Sequence, residues 1–385
     1  MIFPVKHLPV NWIDGMKVSK DNFIDTDNHY HDTLRDITSL FLTNTNFGLL
    51  PAPKGSRALF DLSFIQNAAN SITVKLNYCS AITPGGCRIF IETEDKTQAL
   101  SATIKNEAGD KTGTELIWYD VVVTVNPFER VPMGNPDPEE NPPRHPYSDN
   151  KYALNIIPSD QLNLAELGAY YLVIGKIKNK ANAFYFQENY IPPSTSVESH
   201  PALIDFYEMM GDALDQMHSL SIKIIQKICN KNKPSSIAKN YKEVCEKILD
   251  FTTSIFFQYR NTIPQASPVY LIDIASSLAN KIHTSLYCFS TEEREELLKY
   301  IFEWCEITPN AFEEELLKAV EIHYNHYNIA DPLEVLAHFL KTVNVVWNKM
   351  NNLEYIGQRK ENIVVKKEDI KPQVEQPKKR WSILD

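Results

Sequence analysis

Residues 190–228 read YIPPSTSVESHPALIDFYEMMGDALDQMHSLSIKIIQKI, and the chain changes character within them. Downstream of Pro192-Pro193, Leu203, Tyr207, Met210, Leu214, Met217, Ile224 and Ile228 recur mainly at three- and four-residue steps. That spacing puts them on one face of a long helix. Upstream, the apolar residues come in short runs rich in β-branched and aromatic side chains: SITVKLNY (71–78), CRIFIE (87–92), ELIWYDVVVTV (115–125), YALNII (152–157) and YYLVIGKI (170–177). Ile72, Val74, Leu76 and Tyr78 alternate with polar residues, as in a half-buried strand. Two proline residues in succession make a stiff elbow between two such regions. The expected fold is therefore α+β and multidomain. An antiparallel β-sandwich with an N-terminal arm and helix fills 1–192, a helical bundle fills 200–356, and a flexible, disordered basic tail fills 357–385.

Outward from the elbow the same logic fills in the elements. Phe23, Tyr30, Leu34, Ile37 and Phe41 suit one helix with a narrow apolar stripe, ended by Asn46-Phe47-Gly48. Seven prolines between Asn126 and Tyr147 predict a long exposed loop there, since proline cannot donate to a central ladder. The bundle continues through Ile237–Ile255 and Leu271–Phe289, then two helices near 291–305 and 309–324, and a last one through Leu333, Leu336, Leu340, Val343, Trp347 and Met350. Leu336, Leu340, Val343 and Trp347 are read as a seam between copies of the chain.

Composition excludes several functions. The 385 residues carry a formal net charge of −10, which disfavours nucleic acid as the partner because phosphate neutralisation needs clustered Lys and Arg. No run approaches the ~18 apolar residues of a membrane span. The start, MIFPVKHLPVNW, lacks the pattern of a secretory signal. Six cysteines without a CxxC pair read as reduced cytosolic thiols. Only 12 glycines, and no phosphate-loop, nucleophile-elbow or zincin motif, leave no catalytic frame and no implied cofactor. The best metal candidate is His323 with His326, three apart at the end of a predicted helix beside Glu321. It supports a metal-dependent hydrolase as one alternative, surface or packing histidines being the other account. A stand-alone ligand-binding sandwich is a further alternative.

One constellation is more specific. Val10-Asn11-Trp12-Ile13-Asp14-Gly15-Met16, then Asn22-Phe23, a helix, and Phe47-Gly48-Leu49 resemble the opening of the TssK family, the type VI secretion baseplate subunits. There V-x-W-x-[ED]-G-M precedes an [HN]-F pair, a long helix and W-G-[LI]. Tyr190-Ile191-Pro192-Pro193 is similar to the YIPP that closes that family's first domain. Ser267-Pro268-Val269-Tyr270 stands where the family has His-Pro-x-x-x-Tyr, and Tyr324-Asn325-His326-Tyr327-Asn328 resembles its Y-x-H-x-D. The resemblance implies a homotrimeric, non-enzymatic scaffold, cytoplasmic and at the inner face of the inner membrane when assembled. It implies a sandwich shoulder held by TssF-like and TssG-like wedge proteins, a helical neck, and a link toward the membrane complex. Partner-binding residues are then expected at Trp12, Gly15, Met16 and Phe23. The family continues into a C-terminal head, whereas here only 357–385 follow the last helix. The expectation is a divergent, headless member whose basic tail, tipped by Trp381, Ile383 and Leu384, contacts a membrane-complex protein instead.

Overall fold

Strand and helix follow the change of period at the elbow. The computed structural model describes residues 6–53, 60–67, 71–93, 99–105, 116–163, 167–181 and 183–360. Trp381, Ile383, Leu384 and the rest of the tail beyond Lys360 lie outside the described residues.

The N-terminal half holds α1 (Lys20–Ser39) and strands β1 (Gly48–Leu49), β2 (Phe60–Asn67), β3 (Ser71–Ile82), β4 (Arg88–Glu92), β5 (Leu100–Lys105), β6 (Ile117–Met133), β7 (Tyr147–Pro158), β8 (Tyr171–Lys180) and β9 (Ala183–Phe186). They form two antiparallel sheets. In the first, β3 is central, with β2 and β1 along one side and β5 and β4 along the other; the second has the order β7-β6-β8-β9. Val74, Leu76, Ile89, Val121, Val123, Leu172 and Ile174 meet between the sheets in one buried core, as the inner faces of a sandwich must.

The proline-rich segment departs from expectation. β6 runs on through Pro127 to Met133, so only 134–146 form the loop. The physical reason is that β8 pairs with β6 only as far as Thr124. Beyond that point β6 has a single partner, β7, and its register slips between Asn126 and Arg130. Pro127 sits in that bulge, where no ladder donor is required. The outer part is thus a two-stranded ribbon projecting from the sheet.

The second half is a bundle: α2 (Pro201–Cys229), α3 (Ser236–Asn261), α4 (Pro268–Tyr287), α5 (Thr291–Cys305), α6 (Pro309–Val320) and α7 (Ala330–Asn352). Local chemistry sets the starts. Pro201, Pro268 and Pro309 open their helices where a missing N–H costs nothing. Ser290 and Glu293 cap α5 reciprocally. The periodic apolar residues then form one core from Ile191 to Ile356.

Leu336, Leu340, Val343 and Trp347 require a correction. They are 0–1 % exposed within a single protomer, and the Trp347 indole N–H donates to Ser221 Oγ at 2.9 Å. The seam they form is intramolecular, because α2 and α3 already cover it: Tyr241 of α3 packs its ring 5.4 Å from that of Trp347. No surface of these residues remains for a neighbouring copy.

Candidate functional site

Two places in the fold collect the residues that the sequence singles out. The first is the joint between sandwich and bundle. Leu49 N–H donates to Pro193 O at 2.7 Å, and Thr195 N–H returns to Leu49 O at 2.9 Å. A Cβ on Gly48, whose φ is +112°, would lie 1.9 Å from Pro193 O, so only glycine fits this crossing. The Ser267 hydroxyl at the start of α4 donates to Thr45 O. His326 arrives from the loop between α6 and α7, with one nitrogen 2.8 Å from Phe47 O and the other 2.5 Å from the Tyr324 hydroxyl. Its ring packs edge-on to Phe47 at 4.6 Å, and Tyr327 joins its hydroxyl to that of Tyr171 at 2.8 Å. Four motifs spread over nearly three hundred residues of sequence thus converge on one joint.

The electrostatics of this joint favour a fixed neutral histidine. His326 is 4 % exposed, and burial lowers its pKa from the ordinary 6.5 to about 4, against the pull of the Phe47 carbonyl. Held this way, the ring donates Nε2–H to Phe47 O and accepts the Tyr324 hydroxyl on Nδ1. This also overturns the metal-site alternative. α6 ends at Val320, so His323 and His326 do not share a helical face; His323 is exposed while both nitrogens of His326 are engaged. Among the described residues no group of three His, Cys, Asp or Glu side chains converges on a metal position.

The second place is the N-terminal arm with α1, and here the helix lies inside out. Its buried face is polar: Asn28, Asp32, Arg35 and Ser39, at steps of four, three and four. Asp32 accepts from Lys6 N–H (2.7 Å), His7 N–H (2.8 Å) and the His7 ring (2.9 Å), and pairs with Arg35 at 3.1 Å. Burial by itself would raise the Asp32 carboxyl; the donors from His7 and Lys6 and the Arg35 charge outweigh it and hold the pKa below the ordinary value. Arg35 donates onward to the Tyr170 hydroxyl, and Arg130 on the β6–β7 ribbon pairs with Asp27 at 2.9 Å. The helix is therefore fastened by polar bonds, and its apolar side is left over. Phe23, Tyr30, Leu34 and Ile37 of the helix, with Phe41 just past its end, are 50–75 % exposed, and Trp12 on the arm lies 6.3 Å from Phe23 ring to ring. Gly15 turns the arm at φ +81° with open space around it, and Met16 is half-buried. Monomeric soluble proteins seldom leave so long an apolar surface uncovered.

The sequence showed the apolar stripe of α1 but not its direction. The polar series Asn28, Asp32, Arg35 and Ser39, at the same helical spacing, was the signal that could have revealed it.

What this arrangement provides is binding geometry: a rigid joint carrying a sandwich whose outer helix presents apolar side chains. No family model and no curated protein matches the sequence. Solved structures do match. A crystal structure of TssK superposes with a TM-score of 0.52 at 17 % identity, over 88 % of this chain and 69 % of that one. A chain of the baseplate complex from the type VI secretion system gives 0.51 at 12 % identity, over 87 % and 99 %. A chain of a TssK-TssF-TssG baseplate subcomplex gives 0.47 at 13 % identity, over 88 % and 99 %. By fold this is a two-domain protein of sandwich and bundle. That fold is the one seen in TssK.

Proposed function

We propose that this protein is a structural component of a type VI secretion baseplate, a TssK-like scaffold that assembles as a trimer and links TssF-like and TssG-like wedge proteins to the membrane-associated complex. The observation that carries the reading is the convergence of the TssK-like motifs on the sandwich–bundle joint of a chain that has the TssK fold. An adaptor transmits position, and a joint with no freedom at Gly48 and His326 suits that task better than a reactive centre. The arm and α1, with Trp12 and Phe23 exposed, are the surface assigned to the wedge. Assembly then places the protein at the cytoplasmic face of the inner membrane; no helix among the described residues is long and apolar enough to cross it.

The test is co-purification with the TssF- and TssG-like proteins of the same cell, using the full chain and a Trp12→Ala/Phe23→Ala variant. Both side chains are exposed, so the variant should fold. Retention of the wedge by the wild type and at least a tenfold loss in the variant is the expected result. Wedge retention unchanged in the variant would overturn the assigned surface, and a wild type that retains no wedge protein would overturn the baseplate reading. Light scattering of the purified chain checks the trimer.

A further inference from the structure

α2 carries a second uncommitted surface, on the bundle. Between α2 and α3 lies a groove of about 710 Å³. Its apolar part is made by Tyr207, Leu214, Ile255, Phe256 and Tyr259. Tyr207 and Tyr259 stack at 4.7 Å, and Gly211 keeps room for the second ring. The rim is acidic. Asp205, Glu208, Asp212 and Asp215 form an exposed ridge along α2, and the last three wall the groove. None of the four has an ion-pair partner among the described residues. One cation enters from α3, Arg260, whose guanidinium lies over Phe256 at 5.3 Å. Like charges at three- and four-residue steps on a helix repel one another, so this ridge weakens α2 as it stands. A second copy presenting the same face would set carboxylate against carboxylate.

The chain itself contains the complementary segment. Lys378-Lys379-Arg380 is followed by Trp381, Ile383 and Leu384. The reach is sufficient. Lys227, near the far end of α2, donates to Asn351 O, Gly357 N–H donates to the Tyr300 hydroxyl, and Lys360 N–H donates to the Glu303 carboxylate, so the chain passes the far end of α2 and its last described residue lies against α5. From Lys227 back to Asp212 is ~22 Å at 1.5 Å per residue. The 18 residues from Lys360 to Lys378 span up to ~60 Å.

We propose that segment 378–385 docks on its own bundle, with Trp381 in the Tyr207–Tyr259 groove and Lys378, Lys379 and Arg380 against Glu208, Asp212 and Asp215. An aromatic anchor supplies affinity there, and the cations steer and align it. The docking is an intramolecular latch: a partner that takes the segment must first win it from the groove. It stands on the groove and the segment, independently of the baseplate reading.

The experiment places a photoreactive benzoyl-phenylalanine at position 256 of the full chain, irradiates, and maps the cross-links by mass spectrometry. Position 256 is 53 % exposed, so the probe needs no repacking. The expected product joins α3 to the peptide that holds Trp381. Its yield should fall at least tenfold in Trp381→Ala, and again in an Asp212→Lys/Asp215→Lys variant whose helicity is checked by circular dichroism. Equal mixtures of isotopically light and heavy protein should give cross-links within one copy. Light-to-heavy cross-links would show a neighbouring copy's segment in the groove and overturn the latch. A yield unaffected by both variants, or cross-links only to other parts of the chain, would overturn it as well.

Discussion

A single imidazole does much of the joining. His326 satisfies a backbone carbonyl of the sandwich and a tyrosine of its own loop, and its burial favours the neutral ring. Its folded pKa of about 4 lies below the ordinary 6.5, so between those values the unfolded chain binds a proton that the folded chain refuses. The stabilisation is therefore full above about pH 6.5 and is lost progressively as pH falls toward 4. The slope is about 1.4 kcal/mol per pH unit for one proton. His200, at the N-cap of α2, is lowered to about 4 by burial and adds to the same trend. Urea unfolding between pH 7 and 4.5 should show this loss in wild type, and His326→Gln should be less stable at pH 7 yet lose less on acidification. An equal pH dependence in the variant would contradict the assignment.

At the scale of the element, α1 separates holding from presenting. Leu34→Glu with Ile37→Glu touches only exposed positions, and surface changes of this kind usually alter stability by less than about 0.5 kcal/mol. Asp32→Asn removes the charge that gathers Lys6, His7 and Arg35, and breaking a buried pair costs about 3–5 kcal/mol locally. Thermal unfolding should therefore rank the polar substitution as the damaging one. Hydrogen exchange should show the arm at residues 6–18 released in Asp32→Asn and intact in the double glutamate variant. The reverse order would mean that the stripe, not the polar face, holds the helix.

For the whole molecule, the bundle core decides what a seam mutation does. Leu340 is fully buried among the chain's own helices. A desolvated, unpaired carboxylate there cannot be relieved by dissociating a neighbour. Leu340→Asp should thus lower helicity and the melting temperature of the chain itself, by an amount independent of protein concentration. A variant that stays fully helical but scatters light as a smaller particle would restore the seam between copies.

The sequence by itself determined the element types and the place where strands give way to helices, because a period of two or of three and a half residues is written in local order. The glycine at 48 and the prolines at 192 and 193 are legible for the same reason, since backbone geometry is a local constraint. Which way α1 faces was not legible: its apolar and polar stripes have equal periods, and only the packing of Asp32 and Arg35 against His7 and Tyr170 settles which one is inside. Nor was the ribbon through Pro127, which depends on where β8 stops beside β6. The tertiary structure also decided that Leu340 and Trp347 are spent within one chain and that His326 meets Phe47. Both are contacts between segments far apart in sequence, and no local pattern records which distant partner will cover a given face.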